Sequence, residues 1–482
     1  MILFRRFAAL ALIAGLATLF PAQSRAEDAP NAPAPNQADT AALLQRVTEL
    51  EKEVKSLQGE LQAVKASPAA ATAGNPAVIP AVYDPQSAAP AAAPAPSKPD
   101  PLAGLSSVLG GATFTGLVDG YYSYNFNHPQ AGTSSLSPVP GNFTALRVFD
   151  PRNNQFALSL VEVGLVKTPD ADNRLGYKAI FGFGDAMRQI NVVSGGDPTF
   201  LQYLKEAYFS YLAPVGKGLQ FDVGKFVTPN GAEVIESSAN WNYSRSLLFN
   251  YAIPFYHYGI RAQYAFSPKV SLTGYVVNGW NDVIHDTSTG FDNSGKTGGL
   301  SLVWAISKKV TFTQNWMGGP GATQLDGNHW RNLSDTVIAY NPTGKLSLMA
   351  NGDYGRTEGS LIPVDGGAIS SDRSKEWWGA AGYIKYQFNP KYALAARYEY
   401  YNDPDGYTTG ITDLNGHGPH IQEVTATFER RFATHLITRI EYRHDESNQA
   451  FFPKGRASNL PVNGQNTIAA GMVFVFEPSE SK

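Results

Sequence analysis

The chain has no cysteine in its 482 residues. Disulfides, thiolate metal sites, cysteine nucleophiles and lipid attachment to a cysteine are therefore excluded. Charge is sparse, with 16 % of residues charged and Lys+Arg 38 against Asp+Glu 41. The net charge of −3 lacks the basic surplus of a nucleic-acid binder, so nucleic acid is not an expected partner. Catalytic signatures are missing too. There is no G-x-S-x-G elbow and no H-E-x-x-H. Gly182-Phe183-Gly184 lacks the third glycine of a dinucleotide site. His417-Gly418-Pro419-His420 offers only two ligands, and Asp403-Pro404-Asp405-Gly406 reads as a turn. No enzyme activity, cofactor or metal is expected. Glycine (46), tyrosine (24) and phenylalanine (26) are what the chain has in quantity. The length would suit two or three soluble domains, but large barrels are an exception to that count.

Residues 1–26 read as a secretory signal peptide. Arg5 and Arg6 precede an apolar run from Phe7 to Phe20, followed by Pro21 and small residues at Ser24 and Ala26. The run falls short of the roughly 20 residues an inner-membrane anchor needs. Within an N-terminal segment 27–66, residues 39–66 carry a heptad seam: Leu43, Val47, Leu50, Val54, Leu57, Leu61 and Val64. In a parallel pairing Arg46 meets Glu51 and Glu60 meets Lys65. Self-association is favoured over a helix lying on its own domain, because a Pro/Ala-rich tract, 67–111, follows. Such a tract stays extended and spans on the order of 100 Å.

From Ala112 onward the apolar pattern has a period of two, interrupted by glycine, proline and asparagine clusters. Phe114, Val118, Tyr122, Tyr124 and Phe126 share one face, and Thr115, Asp119, Ser123 and Asn125 the other. The pattern recurs around Tyr258, Leu300, Tyr392, Leu436 and Ile468. A soluble sandwich would also alternate. Aromatic residues at strand ends and the alternation of connection length point instead to a transmembrane β-barrel. Short turns are expected at 169–173, 214–217, 267–268, 307–308, 341–343, 389–390 and 430–433. Long loops are expected near 128–154, 187–200, 228–255, 280–296, 318–329, 355–375, 403–417 and 446–464. Fifteen connections give about sixteen antiparallel up-and-down strands over 112–476, with a tail at 477–482. Strands at 155–168 and 330–340 alternate poorly.

In lipid every backbone polar group must be paired within the protein, so the sheet must close. About sixteen strands enclose a lumen too wide to be filled by their own side chains. Polar and charged inward residues of both signs fit a water-filled channel. The longest connection, from about Val227 to Phe255, is the segment expected to fold inward and narrow it. Its Glu233, Glu236 and Arg245, facing Asp222, His257, Arg261, Arg397, Glu399, Arg439, Glu441 and Arg443 of the wall, are the candidate constriction and lining residues. If that loop lines the pore, Arg245→Ala shifts charge selectivity.

Glu206-Ala207-Tyr208, Val223-Gly224-Lys225-Phe226, Thr228-Pro229-Asn230-Gly231-Ala232-Glu233, Tyr243-Ser244-Arg245-Ser246, Ala252-Ile253-Pro254-Phe255 and His257-Tyr258-Gly259-Ile260-Arg261 follow one another. This series resembles the outer-membrane β-barrel porin family described as OmpL-like. The resemblance covers roughly Ala112 to Phe476. It implies a porin of the bacterial outer membrane, with outer-membrane lipid around it and both termini periplasmic. Passive diffusion of small hydrophilic solutes or ions is the expected activity. The rival readings are a lipase- or protease-type barrel enzyme and a tether from the outer membrane to peptidoglycan through the coiled coil. A homo-oligomer is expected, trimeric by resemblance, whereas valine at a with leucine at d leans toward a dimer. Barrels of this kind usually end on an aromatic residue; here Phe476 is followed by six more residues.

Overall fold

The computed structural model describes residues 110–129, 143–191, 199–281, 295–320, 329–364, 367–371, 373–432, 435–455 and 461–476. The expected signal peptide, coiled coil and C-terminal tail lie outside the described residues, as does the Pro/Ala tract except for its last two positions.

Sixteen strands close into one antiparallel barrel. In chain order these are β1 (Thr113–Asn125), β2 (Gln155–Lys167), β3 (Leu175–Phe183), β4 (Leu204–Ala213), β5 (Leu219–Val227), β6 (Tyr256–Ser267), β7 (Val270–Val277) and β8 (Thr297–Ala305). β9 (Val310–Gly319), β10 (Arg331–Tyr340) and β11 (Leu346–Thr357) follow. A separate hairpin, β12 (Ser360–Val364) with β13 (Gly367–Ser371), sits in the next long connection. β14 (Lys375–Asn389), β15 (Tyr392–Asn402), β16 (His420–Phe432), β17 (Leu436–Ser447) and β18 (Gly464–Phe476) complete the wall. Each strand pairs with its chain neighbour in the barrel, and β1 pairs with β18 in a register that sets Gly116 opposite Phe476. That last pairing removes the sheet edge, which lipid would not tolerate. The first and last strands therefore meet at the short-turn end.

Seven short and eight long connections alternate as expected, with the last short one falling between Phe432 and Leu436 rather than at 430–433. Ile260, Phe209, Val424 and Ile440 face outward and are exposed. Aromatic pairs sit at strand ends. Tyr264 with Phe266, Tyr386 with Phe388 and Phe474 with Phe476 are at the short-turn end, with ring centroids 5.0, 5.1 and 4.6 Å apart.

The two poorly alternating segments are strands with specific irregularities. β2 carries a bulge where its register against β1 slips at Asp119/Gly120. The slip reverses the side-chain parity, so Leu158 points out and is exposed while Leu160 is fully buried. In β10 the inward residues Leu333 and Val337 are apolar and buried. Its outward Ser334 and Thr336 hydrogen-bond to Gln314 of β9, at 3.2 and 2.7 Å. The inversion has a cause inside the barrel. The hydrophobic core occupies the barrel interior, where Phe149, Leu247, Leu248, Phe249 and Ile253 from two outer connections pack against Met317, Leu333, Val337 and Trp377 of the wall. Sixteen strands cannot fill their own interior, so these loops fill part of it.

Ile440 lies mid-strand on the outer face. Ile440→Arg is expected to lower the unfolding free energy in lipid vesicles by about 2–4 kcal/mol. Chemical unfolding followed by tryptophan fluorescence measures it, and a neutral result would mean this face does not meet lipid.

Candidate pore constriction

The connection between β5 and β6, residues 228–255, has a conformation braced by its own polar groups. Gly231 takes a left-handed φ of +93°, and its position leaves no room for a side chain beside Ile253. The Asn240 amide bridges Val234, accepting from its N–H at 3.0 Å and donating to its carbonyl at 2.8 Å. The Arg245 guanidinium donates to the carbonyls of Tyr243 (2.6 Å), Val234 (3.3 Å) and Ile235, and stacks over Phe149. Ser246 N–H donates to Glu233 at 2.6 Å. A π-helical turn, Leu248–Ala252, brings the chain back toward β6.

The loop crosses the lumen and is clamped to the far wall by charge. Arg397 of β15 donates to Glu233 at 2.8 Å, to the Ser244 carbonyl at 2.8 Å and to Glu423 of β16 at 2.6 Å. Glu399 accepts from the N–H groups of Leu247 (2.6 Å) and Leu248 (3.2 Å). Glu441 of β17 accepts from the N–H groups of Tyr243 (2.6 Å) and Ser244 (2.9 Å). Arg439 donates to the carbonyls of Ser237 and Asn240 while paired with Glu429 at 2.7 Å. Arg443 donates to the Arg245 carbonyl at 2.7 Å. On β1, Asp119 accepts from Ser237 (2.6 Å) and from the Tyr243 hydroxyl (2.7 Å). Burial, and then the Asp119 carboxylate beside it, hold the Tyr243 phenol well above its ordinary range, so it remains a donor. The loop's first turn is held on another side, where Gly231 N–H donates to Asp335 of β10 at 2.9 Å. Trp377 Nε1 of β14 donates to the Ala252 carbonyl at 3.0 Å. The wall makes room with glycine. A Cβ at Gly471 would lie 2.4 Å from the Tyr243 ring, and one at Gly379 would lie 2.7 Å from Leu248.

Register explains why arginine concentrates here. Glu399, Glu423 and Asp445 stand directly opposite one another across β15, β16 and β17. Three carboxylates in a row repel. Arg397 and Arg443 interleave with them, at 2.6 Å from Glu423, 3.2 Å from Glu423 and 2.7 Å from Asp445.

The structure brings Glu233, Arg245, Arg397, Glu399, Arg439, Glu441 and Arg443 together, buried between loop and wall. His257 lies apart. It is buried against Tyr275 with its ring nitrogens 3.1 Å from the Gly279 carbonyl and 3.1 Å from Thr228 Oγ1. Asp222 and Arg261 are paired at 2.8 Å on the β5–β6 wall, and the Arg261 side chain keeps 19 % of its surface accessible. Glu236 keeps 28 % and pairs with Lys205 of β4. The neighbouring Lys178 of β3 keeps 21 % and pairs with Glu206 at 2.8 Å. Sequence reasoning did not select Asp119, Glu423, Glu429 or Lys178. Glu423 and Glu429 share the inward parity of β16, a signal that becomes specific only once their strand is set beside the arginines of β15 and β17. The segment 143–152 was read as part of a long loop, and it packs inward through Phe149 and an Arg147–Asp150 pair at 2.9 Å.

Removing Arg397 takes the cationic partner from buried Glu233 and one of two arginines from buried Glu423. Arg397→Met is expected to cost about 3–5 kcal/mol in chemical unfolding, against less than about 1 kcal/mol for the partly exposed Arg431→Met. Gly471→Val is expected to displace Tyr243 and lift the loop. A higher single-channel conductance in planar bilayers is the readout, and unchanged conductance would place the loop outside the conduction path.

The barrel matches, over residues 111–476, the family described as "Putative beta-barrel porin-2, OmpL-like". No curated protein matches the chain. Among solved structures it is similar to the outer membrane channel DcaP of Acinetobacter baumannii (12 % identity, 76 % of this chain and 97 % of that one, TM-score 0.47). It is also similar to an anion-selective porin from Comamonas acidovorans (9 %, 76 % and 99 %, 0.47). OmpF of Salmonella typhi, in complex with daunomycin, gives 11 %, 76 % and 97 %, with a TM-score of 0.47. The family match spans three quarters of the chain, from the start of β1 to the end of β18, and the chain belongs to this OmpL-like family of outer-membrane β-barrel porins.

Proposed function

We propose that small hydrophilic solutes or ions cross this porin passively, without a chemical step, along the side of the lumen formed by β2 to β6. The observation that carries this reading is the division of the interior. Loop 228–255 covers the wall from β14 through β18 to β1, where the side chains of Arg397, Glu399, Glu423, Arg439, Arg443 and Asp445 have no water-accessible surface. Lys178 and Arg261 on the opposite wall, and Glu236 of the loop beside Lys205, keep accessible surface. Fixed charges with a wet surface select among permeating ions, and charges sealed in a packed interface do not.

The charges on that side nearly balance. Lys178, Lys205 and Arg261 face Glu162, Glu206, Asp222 and Glu236. Weak charge selectivity follows. The buried arginines, Arg245 among them, shape the passage by holding the loop. The same reading puts both termini in the periplasm, on the side of the short turns. It also joins copies through the N-terminal seam into an oligomer, with a trimer favoured, and leaves peptidoglycan contact to that segment.

Planar-bilayer recording of the purified full chain tests the reading, which absence of stepwise conductance would overturn. Arg261→Gln is expected to move the reversal potential in a salt gradient toward cation selectivity. Arg245→Gln is expected to act through loop stability, with a conductance change that outweighs any change in selectivity. The opposite ranking would move the permeation path to the clamped wall. Deleting residues 27–100 is expected to preserve conductance and to lower the oligomeric order seen by native mass spectrometry.

A further inference from the structure

Two carboxylates inside the barrel are not matched by positive charge. Asp335 of β10 and Asp353 of β11 stand directly opposite each other in register, and both side chains point inward and are buried. Asp335 accepts three hydrogen bonds, all from neutral groups: Gly231 N–H at 2.9 Å, Asn315 Nδ2 at 2.6 Å and Asn351 Nδ2 at 2.7 Å. Asp353 is 5 % exposed, with the Asp335 carboxyl and the Asn351 side chain as its polar neighbours, and among the described residues no donor lies at hydrogen-bonding geometry to either of its oxygens. Asn315 of β9, fully buried, adds a third unpartnered oxygen. Its Nδ2 is committed to Asp335 and to the Pro229 carbonyl at 3.0 Å, which fixes the amide orientation and leaves Oδ1 without a donor.

An isolated buried carboxylate is expensive, and two side by side are more so. Elsewhere in this interior carboxylates are answered by arginine, as at Glu233, Glu423 and Glu429, or by a full set of neutral donors, as at Glu441 and Asp119. Asp353 and Asn315 Oδ1, on the strands either side of Asp335, are left as unanswered hard oxygens, and thiolates are absent from the whole chain. That donor set matches an alkaline-earth cation rather than a transition metal.

We propose that Asp335, Asp353 and the Asn315 side-chain carbonyl form a Ca²⁺ site on the inner wall. The cation neutralises the carboxylate pair and, through Asp335, secures the first turn of loop 228–255 at Gly231. Three protein residues leave further coordination positions for water, as Ca²⁺ sites commonly do. This site is separate from the arginine clamp and from the permeation side, so it stands whether or not solutes follow β2 to β6.

The test uses the full chain refolded into detergent without lipopolysaccharide, whose phosphates bind calcium themselves. Thermal unfolding is followed at constant ionic strength in chelator and across a CaCl₂ titration. Wild type is expected to show a saturable rise in Tm, on the order of 2–3 °C for each tenfold increase of free Ca²⁺ above the dissociation constant. Asp353→Asn is expected to abolish the rise, and Asn315→Ala to shift the titration midpoint at least about tenfold upward. Equilibrium dialysis with radioactive calcium on wild type provides a reading that does not depend on either variant folding, with one ion per chain expected. No calcium-dependent rise and no bound ion in wild type would overturn the site. A rise of equal size in Asp353→Asn would place the ion elsewhere and overturn it too. If Asp353→Asn stabilises the chain in chelator while wild type ignores calcium, the pair shares a proton and the proposal fails.

Discussion

Backbone closure in a medium without water is the constraint on which the rest of this structure depends. Every strand must find two partners, and the pairing of β1 with β18 supplies the last of them. Closure at sixteen strands then imposes a second condition, because the ring is wider than its own side chains can bridge. A segment from outside the wall has to occupy part of the interior. Loop 228–255 and segment 143–152 do so, and they bring a hydrophobic core with them.

That arrangement reverses the usual placement of charge. The outer surface is apolar because lipid is there, and the interior carries arginines and glutamates that are fully buried. Such groups are tolerable only when each finds a partner of opposite sign or a set of hydrogen bonds. Arg397 meets this through Glu233, Glu423 and the Ser244 carbonyl. Glu399 and Glu441 meet it through loop N–H groups. A hydrophobic interface would hold the loop as firmly. Directional polar bonds also fix which carbonyl meets which arginine, so the loop has one seat on the wall rather than several.

Clamping has a functional corollary. Side chains used to hold the loop are buried, so on the permeation path proposed here the richest cluster of charge is not where ions meet the protein. Accessible charges lie across the lumen in pairs such as Arg261 with Asp222 and Lys178 with Glu206. On that proposal, structure and selectivity are divided between two walls of one barrel.

The barrel was legible in the sequence because a strand's side chains alternate between lipid and interior, and because turns and loops differ in length. All fifteen connections follow from those two signals. β2 and β10 were faint for local reasons: a bulge reverses parity in β2, and β10 faces a packed interior with apolar residues. The inward folding of 228–255 was legible from its length and from the width of the ring. Which residues would hold it was legible only as a set. Arg397, Arg439 and Arg443 were recognisable as inward-facing, but whether they meet water or carbonyl oxygens depends on contacts between positions more than 150 residues apart. Alternation is a property of neighbours along the chain and can be read there. Burial and pairing across a lumen arise only when distant strands have closed into a ring, so the tertiary structure alone decided them.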